Sequence, residues 1–272
     1  MNDLKSTSNT LEERITQAEM SVRDEVSKLH FHVTEESDRS LRFLQRQFYE
    51  LKKILFFPGL TLDEAAFNGQ FSKHLVWNEL KPKLAGSFAV ETGTYLGGTT
   101  SLLARAFSRV LTIDINAVFQ EQAKLKTGDA TNVEFILSDS ASFLRQNLPK
   151  WVDEGCLPEF FYLDAHWDPV CPLAEEVELI SRSCHDAIVM IDDIEVPGDA
   201  GYGFDRYEKA VLDKNYLSKV VREFGLACFV PRLASAMDCM ASFAIEPRGT
   251  WFLAQTAASI EKLESCASLG RL

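Results

Sequence analysis

Five short apolar runs, each followed by helical spacing or a loop, constrain this chain more than any other feature it carries. They are residues 88–90, 110–113, 133–137, 160–163 and 187–191. Helical spacing fills the gaps at 99–107, 118–126, 141–147 and 173–182. Apolar runs of this length are strands buried on both faces, and strands joined through helices run parallel. The expectation is an α/β fold, a Rossmann-like, doubly wound and mostly parallel sheet with helices on both faces. A loop at 197–207 leads into a helix ending near Glu223, and 226–230 and 250–254 read as two closing strands. A long, poorly patterned loop joins that last pair.

The first run turns into its helix through Glu91-Thr92-Gly93-Thr94-Tyr95-Leu96-Gly97-Gly98. Glycines at such a turn let backbone approach a ligand closely. Tyr95 stands where the dinucleotide fingerprint has its middle glycine, the one that admits a pyrophosphate. No Gly-Lys-Ser/Thr follows, so a P-loop is excluded as well. Glu91 at the strand end repels phosphate and suits the cationic amino-acid end of a ligand.

Every later run in the set ends in aspartate: Asp114, Asp139, Asp164 and the pair Asp192-Asp193. In an open parallel sheet these ends border the ligand crevice. A single aspartate there is ordinarily a helix cap, but four in succession are harder to assign that way. Asp114 lies 21 residues after Gly93, the spacing of an acid that accepts ribose hydroxyls. Asp139 is placed to meet an adenine amino group. Asp164, Asp192 and Asp193 belong to strands that could be neighbours, and such carboxylates repel unless a cation or proton is shared. Oxygen donors suit Mg²⁺ or a similar hard ion. His166, two residues beyond Asp164, is read first as a general base, with metal ligation and a structural role as alternatives. His185 precedes the fifth run, at the other end of the sheet, and is expected to be uninvolved.

Ahead of this region, residues 11–55 hold no proline or glycine and carry an apolar stripe at mostly 3- and 4-residue steps. The first reading is that 1–55 form an N-terminal helical coiled-coil segment, hence a homo-oligomer through 11–55, with a helix folded back on its own domain as the alternative. Residues 56–84 form a helical lead-in, in which Phe67, Phe71 and Leu75 mark one face, and 85–272 form the main domain. The net charge of −12 argues against a general nucleic-acid partner. Six scattered cysteines without a Cys-x-x-Cys pair are expected as free thiols. No apolar run is long enough for a membrane span, and a cytoplasmic protein is expected.

Taken together, the glycine loop, Asp114, Asp139, Leu163-Asp164-Ala165-His166-Trp167 and Ile191-Asp192-Asp193 resemble the class I S-adenosylmethionine (SAM)-dependent methyltransferases. Within that class they are similar to the metal-dependent sugar O-methyltransferases of the macrocin type and to cephalosporin hydroxylase-like proteins. The resemblance covers about residues 85–255. It implies Glu91, Gly93, Thr94, Tyr95, Gly97, Asp114, Asp139 and Ser140 around SAM. It implies Asp164, Asp192 and Asp193 around Mg²⁺ or another hard divalent ion; where some relatives carry a carboxylate base two residues after the first metal ligand, this chain departs with His166, which preserves that role chemically. The function so implied is O-methylation of a hydroxyl on a sugar or glycoside, a small-molecule or glycan acceptor. A catechol-type methyltransferase, or a coiled-coil assembly protein with a non-catalytic SAM-binding domain, are the alternatives.

Overall fold

The computed structural model describes residues 66–166, 171–242 and 246–272. The long helix expected over 11–55, and the oligomer it would form, lie outside the described residues. A 3₁₀ turn, Ala66–Gly69, leads into α1 (Phe71–Leu80) and a second turn, Lys81–Lys83. The alternation then begins: β1 (Phe88–Thr92), α2 (Gly98–Ala104), β2 (Arg109–Asp114), α3 (Ala117–Thr127), β3 (Val133–Leu137) and α4 (Ser140–Glu154). It continues through β4 (Phe160–Leu163), α5 (Leu173–Ser183), β5 (Ile188–Asp192), α6 (Ser218–Phe224) and β6 (Ala227–Pro231). The chain closes with α7 (Ser235–Ala241), β7 (Thr250–Ala254), α8 (Ala257–Glu264) and β8 (Leu269–Arg271).

These strands make one sheet in the order β3-β2-β1-β4-β5-β7-β6-β8. Strands β1 to β5 pair in parallel, as their apolar runs imply. β7 inserts antiparallel between β5 and β6, and β8 pairs antiparallel with β6. After β3 the chain returns to lay β4 on the other side of β1. That reversal opens a crevice beyond the carboxyl ends of β1 and β4.

Side chains alternate across the sheet and feed a core on each face. Val90, Ile113, Phe161, Leu163 and Ile191 pack beneath α4, α5 and α6 on one face. Ala89, Val110, Phe160, Tyr162 and Met190 pack with residues of α1, α2 and α8 on the other. The period of two therefore carries Tyr162 and Asp192 to the α1 side of the sheet.

Several elements depart from the sequence expectation. α4 runs on past Pro149 to Glu154, where Gly155 in the left-handed region ends it. The stretch expected as loop between β6 and β7 contains α7, and α8 and β8 follow β7. The buried face of α1 is Ser72, Lys73, Val76, Trp77 and Leu80, while Phe71 and Leu75 are only partly covered. Two polar residues were hidden within that face because each has a buried carboxylate to meet. Ser72 donates to Asp238 of α7, and Lys73 pairs with Asp192.

Candidate active site

The glycine loop is built for close approach. Gly93, with φ 85°, passes so near β4 that a Cβ there would run into the Asp164 carbonyl. Gly97 is left-handed at φ 77° and caps α2; a Cβ on it would lie 2.8 Å from Ala123 Cβ in α3. The first glycine thus seats the loop against β4, and the second lets two helices meet. Tyr95 also has positive φ, 45°, and its ring meets Phe119 edge-on with centroids 4.9 Å apart.

Beneath the loop, hydroxyls and one carboxylate tie three elements together. Thr112 donates to Glu91 (2.6 Å), Thr94 lies 2.6 Å from Thr112, and Thr100 also donates to Glu91. Glu91 is fully buried, and its Oε1 has no hydrogen-bond partner. Burial pushes its pKa up to about 7, against the hydroxyls of Thr100 and Thr112, which pull it down. Glu91 thus braces the loop from below.

Asp114 ends β2 on the wall of the cleft. Its Oδ2 accepts from Tyr95 N–H (2.9 Å) and its Oδ1 from Asn116 N–H (2.8 Å). A carboxylate has about four acceptor positions, so each oxygen keeps a free one. Asp139 is the N-cap of α4, accepting from Ser142 N–H at 2.8 Å. It also borders a narrow slot with Ile115, Ser138, Ser140 and Pro172, which shares Gly93 and Asp114 with the larger cleft.

That cleft holds about 410 Å³. The glycine loop and Asp114 line one part of it, and Asp164, His166, Asp193, Asp205 and Tyr207 line another. Asp164, His166 and Asp193 each present a ligand atom within 4.8 Å of the others. His166 Nε2 is 3.9 Å from Asp164 Oδ1 and 3.8 Å from Asp205 Oδ2, and neither ring nitrogen has a hydrogen-bond partner. Burial lowers its pKa, against the nearby carboxylates Asp193 and Asp205, which raise it. Asp164 is pushed well above the usual carboxylate range by burial and by the charges of Asp192 and Asp193.

Asp192, expected with the metal ligands, is occupied elsewhere. Its Oδ1 takes the Lys73 ammonium and the Asp193 N–H, and its Oδ2 accepts from Tyr162 at 2.6 Å. It is fully buried and outside the three-residue donor group. Asp193 has φ 53°, a left-handed conformation that aspartate tolerates and that turns it out of the strand. Arg248 clamps it, donating from Nε at 2.8 Å while its Nη2 pairs with Asp205.

Lys73, Tyr162, Asp205, Tyr207, Arg248 and the rim residue Asn68 were not marked in the sequence. Lys73 had a signal: it sits three, four and seven residues from Val76, Trp77 and Leu80, the spacing of a buried face. Arg248 and Asp205 had none, since loops bring them in. His185, exposed beside Gln255, stands apart from the cleft as expected.

The fold and the cleft define a doubly wound α/β protein with a ligand site at its strand-order reversal. No protein family and no curated protein matches the chain in sequence. Among solved structures it is similar to an O-methyltransferase from Bacillus cereus in complex with SAH, at 16% identity and TM-score 0.43, covering 78% of this chain and 90% of that one. It is similar to the O-methyltransferase TomG from Streptomyces achromogenes, involved in tomaymycin synthesis and in complex with SAM, at 18% identity and TM-score 0.46, covering 78% and 89%. An rRNA methylase from Streptococcus thermophilus is similar at 15% identity and TM-score 0.44, covering 68% and 96%. Likeness at this level does not transfer an activity, so function is read from the residues of the cleft.

Proposed function

We propose that the chain is a SAM-dependent O-methyltransferase that uses a divalent cation and acts on a hydroxyl of a sugar or glycoside. One observation carries this reading: the glycine loop with Asp114, and the group Asp164, His166 and Asp193, line a single cleft. SAM, when bound, supplies a methyl group on a positively charged sulfur. Asp114 accepts from the ribose hydroxyls through its two free positions, and the slot between Ile115 and Asp139 receives the adenine. The glycine loop, braced by Glu91, holds the amino-acid end beside β4.

The residues also fit a divalent cation. With Asp164, Asp192, Asp193 and Asp205 all ionised, Lys73 and Arg248 neutralise two of the four charges and one divalent ion would balance the rest; without it, burial and the neighbouring carboxylates push Asp164 toward its protonated form. Such an ion makes a coordinated hydroxyl a stronger acid and fixes its direction. Asp164, His166 and Asp193 would hold it, and Asn68 and Tyr207 on the cleft wall offer hydrogen bonds to a polyhydroxylated acceptor. With His166 holding the cation, the proton would leave to water at the cleft mouth, and the general-base role expected for His166 passes to that water.

The test is SAM binding by calorimetry, followed by S-adenosylhomocysteine release with glycosides, sugar nucleotides and catechols in the presence of divalent ions. Release with a glycosidic hydroxyl supports the reading. Absence of SAM binding by folded protein would sink it, and turnover of catechols alone would move the acceptor class.

A further inference from the structure

We propose that His166 is a direct ligand of the cation, with Asp164 and Asp193, that Asp192 is excluded, and that the site therefore prefers a transition-metal ion such as Mn²⁺, Fe²⁺ or Co²⁺ over Mg²⁺. This rests on the cation-dependent reading above.

Three independent observations converge. The His166 side chain is 1% exposed, and both its ring nitrogens lack a hydrogen-bond partner although carboxylates flank it. Its Nε2 is 3.9 Å from Asp164 Oδ1, too far for a hydrogen bond. That separation suits two ligands of one ion, which at metal–ligand distances of about 2.1 Å lie roughly 3–4 Å apart. Second, Asp192 has a different partner. The Lys73 ammonium lies against it, both side chains fully buried, and Tyr162 donates to its other oxygen. An ion drawing on Asp192 would have to compete with the buried Lys73 ammonium at Oδ1 or with the Tyr162 hydroxyl at Oδ2. Third, Arg248 takes only Oδ1 of Asp193, which leaves Oδ2 for coordination.

The donor set follows: one imidazole nitrogen and two carboxylates. Mg²⁺ favours oxygen ligands in octahedral array, whereas imidazole shifts a site toward the first-row transition metals. Replacing Asp192 with His166 in the ligand set thus changes which metal the cleft selects. The left-handed turn at Asp193 is the backbone device behind the change. It leaves Asp192 pointing to α1 along the strand's alternation and turns the next carboxylate toward His166.

The test uses the full chain and Mn²⁺ alone, without SAM or acceptor. Pulsed electron paramagnetic resonance of bound Mn²⁺ should show ¹⁴N coupling from one imidazole, and His166→Gln, checked for folding by circular dichroism, should abolish it. Calorimetry should give Mn²⁺ an affinity at least ~10-fold above Mg²⁺. Lys73→Met combined with Asp192→Asn should still bind Mn²⁺ with the ¹⁴N coupling intact, weakened by no more than the roughly 10–100-fold that loss of an outer-shell partner costs. Bound Mn²⁺ without ¹⁴N coupling in wild-type protein would overturn the proposal, with no variant needed. So would equal affinity for Mg²⁺, or loss of Mn²⁺ binding in the folded double variant. If ¹⁴N coupling is present but SAM does not bind, the methyltransferase reading fails and the metal site stands.

Discussion

Lys73 of α1 and Asp192 at the end of β5 form an ion pair in which neither side chain reaches solvent. The pair links the helix that precedes the sheet to the end of β5, next to the cleft residue Asp193, and it keeps one of the strand-end carboxylates from serving a ligand. Breaking such a pair leaves a bare buried charge, whereas removing both partners does not. Lys73→Met should therefore lower stability by about 3–5 kcal/mol. Adding Asp192→Asn should recover most of the loss. Urea denaturation at neutral pH measures both, and a single variant as stable as wild type would show that the pair holds nothing together.

Asp114 and Asp139 allow the cofactor site to be tested without confusing binding with folding. Asp114→Ala should weaken SAM binding by about 1.5–3 kcal/mol, the range of a charge-assisted hydrogen bond. Asp139 also caps α4, so Asp139→Ser is the better change there, because serine retains the cap. It should leave the melting temperature nearly unchanged and weaken SAM binding measurably. Calorimetry with unaltered affinity for both variants would remove the two residues from the site.

Gly97 faces two obstacles to substitution, its φ of 77° and the 2.8 Å approach to Ala123. Gly97→Ala should cost more than about 1 kcal/mol of stability. Adding Ala123→Gly opens the space but leaves the backbone strained, so rescue should be partial. Full rescue in thermal unfolding would show that the helix contact alone imposes glycine.

Glu176, in the first turn of α5, is fully buried, with only the Ser140 and Thr92 hydroxyls near enough to relieve its carboxylate. Burial pushes its pKa up to about 7, against relief from Ser140 and Thr92. The folded state therefore binds its proton more tightly than the unfolded chain, and stability falls as pH rises from the ordinary carboxylate range through about 7. Glu91 adds a decline of the same sign. Glu176→Gln should flatten part of that slope and stabilise the protein at pH 8 by on the order of 2–3 kcal/mol. Denaturation midpoints at pH 5 and pH 8 that respond equally to the substitution would refute it.

The sequence by itself determined the parallel core of this protein. Five apolar runs with helices between them allow little other than a doubly wound sheet. Each run is short and needs a crossover to reach the next, and all but the edge run 133–137 are buried on both faces, so local pattern and tertiary position say the same thing. For that reason Gly93, Asp114, Asp139, Asp164, His166 and Asp193 could be placed near the crevice before any distance was known. The tertiary structure decided how their charges are divided. Asp192 and Asp193 are adjacent and chemically identical, and no periodicity separates them. They part because α1 delivers a buried ammonium to one, while a left-handed turn presents the other to His166 and to Arg248 from the approach to β7. Such partners are set by loops and by helix packing across long sequence separations, where charge and space, rather than local spacing, choose the contact.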